Sequence, residues 1–236
     1  IEDWDLGYTP DGDSLASAKA FDASYILNTQ ILDGFTPTEQ LAGARINAVL
    51  DRPEIAWPSA LRDIDTGGVL MGTQVVEDDT NAYGYMQNIA QSDPGYVFMT
   101  KDGKVGFRDR RKAPTSDSIV SFGAGGIAFE SVQVVYGSEL LYNSIHLTRK
   151  GGGAALAVDN ASVSSYGRRD LTIDNMHLAN DADLTPIALS YASLYSQPEY
   201  RFEGLQLSLA KLSPEEQDQI FGLEIGDICE VTFTPN

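Results

Sequence analysis

In the last third of the chain, a short helix is followed at once by a strand with one polar face. Asp159 suits a helix cap, because its carboxylate accepts the free N–H groups of a first turn. Gly167 is free to take the left-handed conformation that ends a helix. From Arg169 to Asp174, Leu171 and Ile173 alternate with polar residues, as in a strand covered on one side only. This succession of a helical and a strand period indicates an α+β fold.

An amphipathic helix is predicted in the first quarter of the chain. Thr36-Pro37-Thr38-Glu39 has the residue types of a capping box with proline at the first helical position. The helix is expected to run to about Asp51, since Pro53 prevents its continuation. Its apolar face consists of Ala42, Ile46, Val49 and Leu50.

A second helix and a β-hairpin are predicted next. The helix is expected to begin near Asp79 or Thr80 and to end before Asp93. Its apolar face consists of Ala82, Tyr85, Met86, Ile89 and Ala90. The hairpin joins the strands 96–100 and 105–109 across Asp102-Gly103, which favours a left-handed turn. Two helices and a hairpin make a small α+β unit.

The remainder of the chain is predicted to be rich in strands. Residues 114–126 contain many Ser, Gly and Pro and mark a domain boundary. One long helix begins after Asp183, and Ser213-Pro214-Glu215-Glu216 is a second capping box. Strands crossed by one helix indicate a small β-barrel or a split sheet. The predicted strands are 132–136, 141–147, 200–209 with a bulge at Gly204, and 227–233.

The charge and the hydropathy of the chain exclude two classes of partner. The formal net charge of −18 disfavours binding to a phosphate backbone, which requires clustered Lys and Arg. The densest basic segment, Arg108-Asp109-Arg110-Arg111-Lys112, is interpreted as a solvated strand end. No apolar run approaches the ~20 residues of a membrane-spanning helix, and Ile1–Asp5 is too acidic for a secretory signal. Because the chain begins without Met, it is interpreted as an internal fragment or as a chain whose beginning is not included.

Two motifs resemble those of enzymes and are interpreted as structural. Asp65-Thr66-Gly67 has the tripeptide of aspartic proteases, but it lacks a second copy and a preceding apolar strand. We expect it to be a turn that leads into a strand. Gly123-Ala124-Gly125-Gly126 lacks the spacing of a nucleotide-binding loop, and a strand is expected after it where such a loop requires a helix. We expect a flexible loop.

The histidines, the cysteine and the acidic clusters predict no active or metal site. His146 and His177 lie in regions of different structure, His146 on a polar strand face and His177 in a loop or strand end. Cys229 is interpreted as a small buried apolar residue. The acidic segments are 11–13, 77–79 and 180–183; calcium remains an alternative for them, but Asp79 and Asp183 are better explained as helix caps.

Five segments together carry a family resemblance: Leu41–Asp51, Arg62–Gly67, Gly95–Arg110, Ser164–Asp174 and Leu223–Phe233. In their order and spacing the chain resembles the minor tail proteins of long-tailed, siphovirus-like bacteriophages, especially those of actinobacterial hosts. Through them it resembles the hub fold of contractile phage baseplates and type VI secretion spikes. The resemblance covers most of residues 36–236. The chain departs from the family where Pro186 and several serines replace a longer hydrophobic helix.

The resemblance implies a tail-hub fold in which two related barrels flank a smaller α+β insertion. Residues 1–33 are then the C-terminal remnant of an upstream barrel, 34–113 the insertion and 119–236 the second barrel. The implied role is that of a structural virion protein, made in the bacterial cytoplasm, which joins tail tube to tail tip as a homotrimeric ring. Its implied partners are further copies of itself and the tail tube, distal tail and fibre or spike proteins. The resemblance implies no catalytic, cofactor-binding or metal-binding residues.

Two other functions remain as hypotheses. Eleven tyrosines and two tryptophans offer stacking surfaces for a carbohydrate-binding module of the tail tip. However, Trp57 and the helical Tyr191 and Tyr195 are interpreted as packing residues. A cell-wall hydrolase requires two carboxylates across a cleft, and the sequence offers no positive support for that arrangement.

Overall fold

A computed structural model describes residues 3–8, 14–110 and 118–234. These residues form six helices and sixteen strands. The helices are α1 (Ser24–Thr29), α2 (Ala42–Leu50), α3 (Ala82–Ser92), α4 (Asn160–Tyr166), α5 (Leu184–Tyr195) and α6 (Pro214–Gly222). The strands are β1 (Asp3–Tyr8), β2 (Ser14–Lys19), β3 (Ile31–Leu32), β4 (Gln40–Leu41), β5 (Arg62–Ile64), β6 (Leu70–Met71), β7 (Thr80–Asn81), β8 (Gly95–Met99), β9 (Val105–Asp109), β10 (Val120–Gly123), β11 (Ser131–Gly137), β12 (Ser144–Arg149), β13 (Ala154–Val158), β14 (Asp170–Met176), β15 (Glu199–Gln206) and β16 (Cys229–Thr232).

The strands form several small sheets. Two sheets have three strands, in the orders β5-β9-β8 and β13-β12-β14. In each of them one neighbouring pair is parallel and the other antiparallel. The other strands pair in twos: β1 with β2, β3 with β7, β4 with β6, β10 with β16, and β11 with β15. The α+β class is therefore confirmed.

The predicted barrel is not found in the described part of the chain, where no sheet closes on itself. Strands β10 and β16 pair only with each other, as do β11 and β15. Helix α5 instead packs across β12 and β13, so the split-sheet alternative describes this region better. Strand patterns read from sequence do not specify which strands pair over long distances, and this is why the sequence left the barrel and the split sheet as alternatives.

A large apolar core joins the helices to the two three-stranded sheets. It extends from Leu27 to Ala192 and includes side chains of α2, α3, β9, β12 and α5. All the residues predicted for the apolar faces of α2 and α3 are buried in it. A second, smaller cluster forms around Val120, Phe122 and Ile127. The proposed division of the chain at residues 114–126 stays a prediction, and residues 111–117 lie outside the described ranges.

The beginning of α2 differs from the prediction. The helix begins at Ala42, and its cap residue Leu41 has no side-chain hydrogen bond to the first turn. The capping box predicted at Thr36 does not form, because residues 40–41 pair with Leu70–Met71 in an antiparallel ladder. A long-range strand pair therefore overrides a local helix signal.

Helix α3 and the following hairpin lie close to their predicted positions. Asn81 caps the helix by accepting a hydrogen bond of 2.7 Å from the backbone N–H of Gly84. The predicted capping role of Asp79 is therefore wrong, and Asp79 has a positive φ of 62° before the helix. In the hairpin β8–β9, Gly103 has φ 74° while Asp102 keeps a negative φ. The turn is thus left-handed at one residue only.

The predicted elements of the C-terminal third are confirmed in type and order. The Asp159 carboxylate accepts 3.0 Å hydrogen bonds from two N–H groups of α4, which ends at Gly167 with φ 75°. Strand β15 has a bulge beside Gly204, where the pairing register with β11 shifts. The capping box of Ser213 and Glu216 forms at the start of α6. Local signals were sufficient here because the long-range pairs of β14, β15 and β16 fall on segments whose own pattern predicts a strand.

Candidate functional site

The Asp65-Thr66-Gly67 tripeptide lies in the loop between β5 and β6, and so precedes a strand as predicted. The Asp65 carboxylate accepts a 3.1 Å hydrogen bond from the backbone N–H of Asp109. The Asp93 carboxylate lies beside Gly67 and accepts hydrogen bonds from the N–H groups of Gly68 and Val69 at 2.9 and 3.3 Å. Both carboxylates therefore hold backbone segments together.

The glycine-rich segment 123–126 is a tight turn. Gly123 and Gly125 have φ of 95° and 88°, and Gly126 donates a 3.0 Å backbone hydrogen bond to Gly123. A Cβ atom on Gly123 would lie 1.9 Å from the carbonyl oxygen of Thr232 in β16. The glycine is required by this close approach of two strands, and strand β11 follows where a phosphate-binding loop would have a helix.

His146 belongs to a polar cluster on the exposed face of the β13-β12-β14 sheet. Its Nε2 lies 3.2 Å from Ser144 Oγ, 3.2 Å from Asp170 Oδ1 and 2.9 Å from an Arg168 nitrogen. A serine–histidine–carboxylate relay requires the serine and the carboxylate on opposite ring nitrogens. Here both lie at the same nitrogen, so this constellation is not arranged for nucleophilic catalysis. Hydrogen bonds from Ser144 and then Arg168 lower the pKa of Asp170.

His177 is buried, and its surroundings differ from those of the exposed His146 cluster. Its ring packs edge-on against Tyr85 with centroids 5.1 Å apart, and its Nδ1 has no hydrogen-bond partner among the residues that the structure describes. Burial, followed by the cations Lys150 and Arg45, lowers the pKa of His177 to about 4. A neutral imidazole in the core is a packing group at neutral pH.

The acidic clusters serve as backbone acceptors. Asp78 accepts a 2.6 Å hydrogen bond from the N–H of Gly34. Asp181 binds Arg149 and accepts a 2.8 Å hydrogen bond from Gly153, and the Arg149 contact is the main cause of its lowered pKa. Asp183 stands at the cap position of α5 without a side-chain hydrogen bond, so its predicted capping role is wrong. Within the described ranges no group of three His, Cys, Asp or Glu residues is placed to hold a metal ion. The segment 11–13 lies outside those ranges.

Two further predictions concern single side chains. Cys229 is exposed, and the prediction of a buried residue is wrong, because in the described part of the chain β16 pairs with β10 alone and most of its residues are exposed. Arg108 forms an ion pair of 2.6 Å with Asp63, so this part of the basic segment is paired as well as solvated. Residues 111 and 112 of that segment are not described.

An open groove of about 540 Å³ lies on the surface of the described part of the chain. It lies between α3 and β8 on one side and β14 and α5 on the other. We call it the tyrosine groove, because its lining includes Tyr96, Tyr142, Tyr191 and Tyr195. All four tyrosines are half-buried. Tyr191 and Tyr195 are predicted to be packing residues, and their spacing of one helical turn is the sequence signal for a shared surface.

Hydrogen bonds and ring contacts fix the walls of the tyrosine groove. Arg110 donates a 3.1 Å hydrogen bond to Tyr195 Oη and lies over the ring of Tyr96, 5.2 Å from its centroid. Tyr191 Oη donates to the backbone carbonyl of Gln91 at 3.4 Å. Burial is the main cause that raises the pKa of Tyr191 to about 12, so its hydroxyl remains a donor at neutral pH. The groove is thus a preformed, aromatic and partly polar surface.

The two-stranded ribbon β11–β15 is a candidate association surface. It exposes three aromatic side chains, those of Tyr136 (58%), Tyr200 (74%) and Phe202 (53%). The rings of Tyr136 and Tyr200 lie 4.7 Å apart, so they form one patch. In the described ranges the outer edge of each strand pairs with no other strand. Free strand edges and clustered apolar side chains are typical of surfaces that bind other protein chains.

None of the helices in the described ranges combines the length and the apolar character needed to cross a bilayer.

Two solved structures share this fold. The tail protein from Neisseria meningitidis MC58 superposes with a TM-score of 0.52 at 11% identity, over 78% of this chain and 55% of that one. The 43 kDa tail protein of prophage MuSo2 from Shewanella oneidensis gives a TM-score of 0.52 at 14% identity, over 81% and 57%. This chain thus spans a little over half the length of each. No family model and no curated protein matches it. At these identities the likeness to the two tail proteins concerns the fold alone.

Proposed function

We propose that this chain is a structural protein of a bacteriophage tail. The observation that carries the proposal is the fold, which extends over 78% and 81% of the chain when compared with two phage tail proteins. At sequence identities of 11% and 14%, the property that this chain shares with the two proteins is the fold. The side-chain clusters support the same role, because the carboxylates and histidines described above hold backbone and neighbouring side chains.

The finer proposal is a tail-hub or minor tail protein at the distal end of a long non-contractile tail, of the kind that actinobacterial phages carry. In this position it would join the tail tube to the tail tip as a homotrimeric ring. A ring of identical chains requires two different complementary faces on each copy. The free edges and the exposed aromatic patch of the β11–β15 ribbon support the assignment of one such face.

Labelling of intact particles tests the tail role. Antibodies raised against this chain are expected to bind phage particles at the end of the tail distal to the capsid, as seen by immunogold electron microscopy. Particles from a phage with the coding segment deleted serve as the control and are expected to remain unlabelled. Label confined to capsids, or a complete absence of the chain from purified particles, would contradict the proposal.

Self-association tests the proposed ring interface. Native mass spectrometry of the 236-residue chain is expected to show a trimer, and Tyr200→Ser is expected to weaken its assembly by about tenfold or more. The physical reason is the loss of the most exposed ring of the aromatic patch, which a partner chain would cover.

Tyr166→Ser is the matched control for this variant, because Tyr166 is also exposed but lies at the end of α4. It is expected to leave the trimer unchanged. A parent chain that stays monomeric at high protein concentration would contradict the proposed ring. A Tyr200→Ser variant that assembles like the parent excludes the β11–β15 ribbon as the interface.

A further inference from the structure

We propose that the tyrosine groove binds a short saccharide. This inference is independent of the proposed position in a tail, because it depends only on the shape and chemistry of the groove. The volume of about 540 Å³ lies within the range of roughly 300–1,000 Å³ that is typical of small-ligand sites. The groove is open to solvent along one side, which suits a ligand that is part of a longer polymer.

Tyrosine rings line the groove and supply apolar contact area for the C–H side of a sugar. Tyr191 and Tyr195 lie one helical turn apart on α5, with ring planes 17° apart and centroids separated by 6.1 Å. Tyr142 packs edge-on against Tyr195, with centroids 6.3 Å apart. The negative face of an aromatic ring attracts the C–H hydrogens that sugars present on one side. Since the hydroxyls of Tyr191 and Tyr195 are engaged, binding requires little reordering of these rings.

The opposite wall supplies polar groups for sugar hydroxyls. Gln87, Asn88 and Gln91 line the groove from α3, and all three are exposed. Their side-chain amides form no hydrogen bond with any residue of the described ranges. An amide side chain both donates and accepts hydrogen bonds, and so does each sugar hydroxyl. Tyrosine rings and exposed amides line the same groove, and together they match the C–H groups and the hydroxyls of a pyranose.

Other ligand classes fit this groove less well. The net charge of −18 repels nucleic acids and other polyanions, and Arg110, the cation in the lining, already contacts Tyr96 and Tyr195. An amphipathic peptide helix would require a continuous apolar floor, whereas the α3 rim here consists of amides. A neutral saccharide is the class that uses both walls.

The test is a titration of the intact 236-residue chain with four defined tetrasaccharides, followed by NMR and calorimetry. The probes are tetramers of glucose, galactose, N-acetylglucosamine and galacturonic acid; the last is the anionic arm. We expect at least one neutral probe to bind saturably and to shift the backbone amide signals of Tyr142 and Tyr191. The double variant Asn88→Ala and Gln91→Ala is expected to weaken this binding by about fivefold or more, the loss expected from one net hydrogen bond.

Gln219→Ala is the matched control, because it removes an exposed helical amide from α6, outside the groove. It is expected to bind like the parent, and all variants are expected to retain the parent's circular dichroism spectrum. The proposal is overturned if no probe binds saturably up to about 10 mM, a very weak limit. It is also overturned if the double variant binds as tightly as the parent, or if only the anionic probe binds. A third contradicting result is that the NMR signals of the groove residues change with protein concentration and not with sugar. That result would identify a second copy of the chain as the occupant.

Discussion

Arg45→Met is expected to lower the free energy of unfolding by about 3 kcal/mol, because it removes a buried guanidinium that holds three segments together. Arg45 is fully buried in α2. It donates hydrogen bonds of 2.8 Å to the carbonyl of Thr38, 2.7 Å to that of Gly72 and 3.0 Å to Tyr85 Oη. Methionine preserves much of the apolar stem and removes all of these donors.

Two effects of this substitution oppose each other. Three charge-assisted hydrogen bonds contribute about 1.5–3 kcal/mol each, and their loss leaves buried carbonyl groups without a donor. Removing the charge also relieves a desolvation cost of several kcal/mol, since the described contacts of the guanidinium include no carboxylate. The first effect is the larger because three partners are lost together, so the net change is destabilising.

Arg169→Met is the matched control for Arg45→Met. Arg169 is exposed and donates to one carbonyl, that of Ser138, at 2.6 Å. Its replacement is expected to change the unfolding free energy by less than about 0.5 kcal/mol, as is usual for surface positions. Both variants are measured by urea denaturation monitored by circular dichroism. Equal midpoints for the two variants would show that the Arg45 contacts do not stabilise the fold.

The helices of this chain were predictable from sequence because their signals are local. The apolar positions of α3 recur at helical spacing and are all buried, and Asp159 and Gly167 delimit α4 as their residue types indicate. The failure at Thr36 has the opposite cause. The pairing of β4 with β6 joins segments about thirty residues apart, and no local sequence pattern predicts which strand will pair with β4.

The sheet arrangement and the tyrosine groove depend on contacts of still longer range. Strand β16 pairs in parallel with β10, which lies more than one hundred residues earlier in the sequence. The alternation of residues in β16 therefore does not predict which of its two faces is buried, and Cys229 lies on an exposed one. The groove brings together side chains from α3, β8, β14 and α5. Only the pair Tyr191 and Tyr195 was visible as a local pattern. The remaining wall exists because tertiary packing sets α3 opposite α5.

The stability of this protein is expected to fall as the pH decreases from 6.5 to 4, and His177 is expected to contribute about 3 kcal/mol of that loss. Burial is the first cause of its depressed pKa, which is about 4 against an ordinary value of 6.5. Above pH 6.5 the imidazole is neutral in both the folded and the unfolded chain, and its contribution is fully present. Between pH 6.5 and 4 the unfolded chain binds a proton that the folded chain does not, so each unit costs about 1.4 kcal/mol. Below pH 4 the imidazole is protonated in both the folded and the unfolded chain, and its contribution to the loss of stability no longer increases.

His177→Phe isolates this contribution, because it retains a ring that can pack against Tyr85 and removes the titrating group. Carboxylates with lowered pKa values, such as those of Asp170 and Asp181, also destabilise the fold at acid pH, but they are common to parent and variant. Both unfolding free energies are measured by urea denaturation at several pH values. From pH 6.5 to 4 the parent is expected to lose about 3 kcal/mol more unfolding free energy than the variant. A difference that stays constant over this range, or an NMR titration that places the folded-state pKa of His177 near 6.5, would show that the imidazole is open to protonation in the folded core.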